Sequence, residues 1–69
     1  MWRYAVIRFP TSGPPALVDV AHIFDSEIDA RERLRELEAT QLKQHHTYLD
    51  VVAFNGKAHE ELPKLGILF

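Results

Sequence analysis

Only one stretch of this chain, DSEIDARERLRELEATQLKQ (Asp25 to Gln44), has the period and composition of an α-helix, and the segments on either side of it read as β-strands. One helix covers one face of a sheet and no more, so the second face of any sheet formed here must find another cover. The start of the helix is well marked. Asp25 or Ser26 supplies the N-cap, Ser26 and Asp29 approximate a capping box, and Glu27 and Asp29 put negative charge where the helix dipole favours it. Glu27 with Arg31, and Asp29 with Arg33, have the acid-before-base spacing of an intrahelical pair. Ala30, Leu34, Leu37 and Gln41 share one narrow face, while Ile28, Ala39 and Leu42 lie roughly opposite, apolar positions with no evident partner in the chain.

WRYAVIRF (Trp2 to Phe9), rich in aromatic and β-branched residues and closed by Pro10, predicts a first strand. PTSGPP (Pro10 to Pro15) is a loop, and ALVDVAHIF (Ala16 to Phe24) predicts a second strand returning antiparallel to the first. HHTYLDVVAF (His45 to Phe54) predicts a third, and Asn55-Gly56 is a hairpin signal, although KAHEEL (Lys57 to Leu62) is a poor fourth strand and Pro63 confines it to an edge. The expected fold is α+β: β-β-α-β, an antiparallel sheet of order 2-1-3 with room for a weak fourth strand, and one helix packed on one face. This is a reduced ferredoxin-like layout. Residues 1–62 make one domain, and residues 63–69 an apolar tail that docks onto its own core or onto a partner.

A domain of 69 residues has a core only marginally able to offset chain entropy, and with no cysteine it has no disulfide or thiolate metal site to help. Association is the remaining staple. A net charge of −2 with scattered basic residues lacks the footprint of a duplex-binding protein. The short apolar run at the N-terminus, broken by Arg3 and Arg8, is neither a signal-peptide core nor a membrane span, so the expected location is the cytoplasm and no membrane is expected as a partner.

A lone charge on a strand is expected to turn away from the helix-packed core. By that rule Ala5, Ile7 and Phe9 face the helix, with Val18, Val20, His22 and Phe24 of the second strand and Leu49, Val51 and Ala53 of the third. The other face then carries Trp2, Tyr4, Val6, Arg8, Leu17, Asp19, Ile23, Tyr48, Asp50, Val52 and Phe54, with Arg8 and Asp19 neutralising each other, provided that Phe9 pairs with Ala16. So large an apolar face needs a cover. The expected interface is therefore Trp2, Tyr4, Val6, Arg8, Asp19, Tyr48, Asp50, Val52 and Phe54 with the tail residues Leu65, Ile67, Leu68 and Phe69. The expected partner is a second copy of the chain first and another protein next, which makes the chain a small adaptor or inhibitor.

Two alternatives belong to other classes. Aromatics on a sheet resemble the stacking platform of RNA-recognition motifs, although WRYAVIRF and TYLDVVAF lack the basic and glycine residues of that signature. Dimeric α+β barrels of ferredoxin-like subunits enclose small-molecule pockets, although those subunits carry a second helix. The tail also loosely resembles peptides that dock on bacterial sliding clamps, without their leading glutamine. No catalytic residue, cofactor or metal ligand is expected. His45 and His46 are adjacent and do not form a same-face pair, so they read as the end of the helix; His22 reads as a satisfied core histidine, His59 as part of a solvated run. Ser26 is a cap, Ser12 has no nucleophile context, and no glycine-rich phosphate loop is present.

Overall fold

The computed structural model describes residues 1–40 and 47–68. Strand β1 (Trp2–Pro10) is followed by β2 (Ala16–Leu17), a 3-10 turn at Val20–His22, β3 (Ile23–Phe24), helix α1 (Glu27–Thr40), β4 (Thr47–Asn55) and helix α2 (Ala58–Lys64). β1 is central. β4 pairs antiparallel with its whole length on one side, from Trp2↔Asn55 to Pro10↔Thr47, while β2 and β3 pair in turn with its other side. β3 and β4 both run antiparallel to β1 and hence parallel to each other, with α1 as their connection. The expected α+β architecture, an antiparallel sheet with β1 in the middle and the main helix packed on it, is the one observed.

The predicted second strand is broken in two. Between Ile7↔Leu17 and Ala5↔Ile23, β1 advances by two residues and the opposite segment by six. Asp19 causes the break: its carboxylate accepts the Ala21 N–H at 3.1 Å and caps the 3-10 turn that takes up the excess.

The first hairpin pairs Arg8 with Ala16, not Phe9 with Ala16, and a slip of one residue exchanges the faces of β1 relative to its neighbour. One face carries Ala5, Ile7 and Phe9 of β1, with Leu17, Ile23, Val52 and Phe54 beside them. It is sealed by Ala58, Leu62 and Ile67. The other carries Tyr4, Val6 and Arg8 with Phe24, Leu49 and Val51, and lies under α1, whose Ala30 is fully buried with Leu34 and Leu37 half-buried. The charge rule therefore holds for Phe24 and for β4 but fails for β1. A central strand covered on both faces has no solvent side to which Arg8 could turn, and Arg8 is accordingly half-buried. The expected Arg8–Asp19 pair is not formed: Asp19 is occupied by its own turn, and the Arg8 Nε has no hydrogen-bond partner among the described residues.

The segment expected as a weak edge strand is α2 instead. Ala58 and Leu62 are four residues apart and so share a helix face, Glu60 and Glu61 occupy the first turn, and Lys64 closes the last with an ion pair to Glu61 at 3.1 Å. Its end is a Schellman motif. Gly66 takes φ +78° and donates its N–H to the Pro63 carbonyl, the Ile67 N–H reaches the Leu62 carbonyl at 3.0 Å, and the side chains of Leu62 and Ile67 meet in the core. Buried side chains of this size contribute about 1.5–3 kcal/mol each. Leu68 then forms a parallel bridge with Ala16, through Leu17 N–H to Leu68 carbonyl and Leu68 N–H to Pro15 carbonyl, both 2.8 Å.

At the start of α1 the Ser26 carbonyl accepts from Ala30, and Arg31 pairs with Glu27 at 2.9 Å as expected, whereas Arg33 pairs with Glu36 rather than Asp29. The readings placed on Gln41, Leu42, His45, His46 and Phe69 lie outside the described residues.

Candidate functional site

The residues expected to share an interface are divided between the two faces. Trp2, Tyr4, Val6 and Arg8 lie on the α1 face; Tyr48, Asp50, Val52 and Phe54 lie on the α2 face. Val6, Phe54 and Ile67 are buried within the chain, and Tyr4, Arg8 and Val52 are half-buried. Asp19 is exposed as the cap of its turn. Trp2, Tyr48, Leu65 and Leu68 remain largely open to solvent. The aromatic platform therefore does not exist as one surface; α2, invisible to the strand reading, covers half of it.

What is left open is an edge. β4 is nine residues long, bonded to β1 along one side, and among the described residues no strand lies along the other. The Val51 N–H marks which residues look outward: it is donated to the Asp50 carboxylate at 2.8 Å and so points away from β1. Within a strand the two backbone polar groups of a residue point to one side and alternate with those of the next residue. Leu49, Val51 and Ala53 consequently present N–H and C=O groups to the outside.

The two ends of this edge differ in shape. At one end stands Tyr48, 63% exposed although its ring stacks on Phe9 at 5.1 Å between centroids. At the other end is an open groove of about 380 Å³ lined by Trp2, Ala53, Phe54 and Leu65 together with Asn55, Glu61 and Lys64. Backbone donors and acceptors, an aromatic projection and an apolar groove are the components of recognition by strand addition.

Among the described residues, neither His22 nor His59 lines the groove at this edge. His22 is half-buried in the 3-10 turn, and its Nδ1 has no hydrogen-bond partner among the described residues, contrary to the satisfied core histidine expected. No cluster of three metal-ligating side chains occurs among the described residues, and no described helix is long and apolar enough to cross a membrane. Comparison with protein-family models, curated proteins and solved structures finds no match to this chain.

Two sequence signals bear on the site beyond the strand reading of this segment. Ala58 and Leu62 at helical spacing, followed by Gly66 and Ile67, mark a capped helix, and a helix after β4 leaves that strand with an unpaired side.

Proposed function

We propose that the chain is a non-catalytic association module of the cytoplasm that works by strand addition at the outer edge of β4, with a second copy of itself as the first occupant. The observation that carries this reading is the fit of the two ends of the edge to each other. Antiparallel pairing of two β4 strands about a two-fold axis at Val51 sets residue 48 of one copy opposite residue 54 of the other. The exposed Tyr48 of each copy then comes to the groove beside residue 54 of its partner, where Leu65 is exposed to receive it, and this happens twice. Leu49, Val51 and Ala53, which carry no charge, pair with Ala53, Val51 and Leu49 and supply the backbone hydrogen bonds. Of the tail, Ile67 and Leu68 are already engaged in their own chain, and Leu65 contributes to the groove.

The same edge accepts an extended segment of another protein, which is the form in which the module acts as an adaptor or inhibitor. A seam of one strand on one strand is small, so the self-association is reversible and concentration-dependent.

Light scattering coupled to size exclusion, over a concentration series, tests the reading with Val51→Pro. Proline removes the outward N–H of an edge strand without touching the bonds to β1. The native chain is expected to shift from monomer to dimer with rising concentration, and the variant to stay folded and monomeric. A native chain that is monomeric throughout, or a folded variant that dimerises equally well, contradicts the proposal.

A further inference from the structure

Asp50 is the one charged residue in β4, and its carboxylate occupies the N–H at the middle of the open edge. In the two-fold arrangement the two Val51 residues face each other as a hydrogen-bonded pair, exchanging both N–H···O bonds at the symmetry axis. The donors of that central pair are the two amides that the Asp50 side chains hold. Each central bond forms only when the carboxylate on its own donor lets go, and the pair is complete only when both have.

We infer that Asp50 is a gate on this edge, restraining pairing with a second copy by capturing the Val51 N–H. The inference rests on the strand-addition reading above. Charge acts in the same direction: Asp50 stands opposite Val52 of the second copy, so the two Asp50 side chains are diagonal neighbours on one face, at the ~7–8 Å of that relation. A like-charged pair there, with no base beside it in either β4, weakens the dimer further. Leu49, Val51, Val52 and Ala53 around it are apolar strand of the kind that otherwise pairs without control, and Asp50 makes its assembly reversible. A cation that draws the carboxylate aside, such as a Lys or Arg on an added strand of another protein, opens the gate and lets a foreign segment compete with the second copy.

Asp50→Ala and Asp50→Asn separate capture from charge. Alanine removes both acceptor and charge, whereas asparagine removes the charge and keeps a side-chain oxygen that can hold the Val51 N–H. Dimer dissociation constants from sedimentation equilibrium are expected to fall about tenfold or more for Asp50→Ala, equivalent to about 1.4 kcal/mol, and by clearly less for Asp50→Asn. Unchanged far-UV circular dichroism shows that both variants fold. If Asp50→Asn tightens the dimer as much as Asp50→Ala, repulsion suffices and the gate is overturned. If the native chain dimerises and Asp50→Ala does no better, the gate is overturned while strand addition stands. If neither dimerises, strand addition itself has failed and the gate falls with it.

Discussion

The two edges of the sheet are protected by opposite means. Along the β2–β3 edge the strand is cut into two-residue pieces by the Asp19-capped turn, and the outer side of β2 is bridged by Leu68 from the chain's own C-terminus. Along the β4 edge the strand is long and regular, and among the described residues its protection amounts to one carboxylate on one amide. Fragmentation and covering close an edge for good; a single charged side chain leaves it available. The contrast teaches that this small domain has spent Ile67 and Leu68 on one edge and so left the other open among the described residues.

Ile67→Ala strikes the closed edge hardest. Ile67 is 4% exposed and, with Leu62, fixes the helix end that delivers Leu68 to β2. Truncation of a buried side chain of this size costs about 2–5 kcal/mol, to be read from the denaturant midpoint, and the Leu17 and Leu68 amides are expected to exchange faster while the Val51 amide does not change. Equal loosening of both edges would show that they are not independent.

Asp19→Ala should have a smaller effect. Loss of the cap on the 3-10 turn is expected to cost about 0.5–2 kcal/mol by denaturant unfolding, with Asp19→Asn close to native because asparagine caps equally well. A stability unchanged in Asp19→Ala would mean that chain connectivity, not the cap, breaks the second strand.

What the sequence made legible follows from what is periodic in it. The apolar spacing of Ala30, Leu34 and Leu37 and the polar signals around Ser26 located α1, and the β-branched and aromatic runs located β1 and β4 and their order. Register was not legible, because the hairpin turns on whether Arg8 or Phe9 meets Ala16, and the loop PTSGPP permits both. Arg8 then misdirected the choice of face, since a charge reports solvent only on a strand that has a solvent side. α2 is hard to see in the sequence because Ala58 and Leu62 give only two points of a helical pattern, and because Asn55-Gly56, a common hairpin signal, here ends β4, with Gly56 at φ +119° leading into the helix. The candidate site shifted accordingly, from a sheet face to a sheet edge, while Trp2, Tyr48, Asp50, Phe54 and Leu65 remained part of it.

Amide hydrogen exchange, followed residue by residue at low and high protein concentration, tests the central claim most directly. If two copies join through β4, the amides of Leu49, Val51 and Ala53 become protected as concentration rises, while those of Val18 and Leu68 on the closed edge keep the same rates. Protection at β4 that is independent of concentration, or protection that rises with concentration only at the β2 edge, would contradict the account.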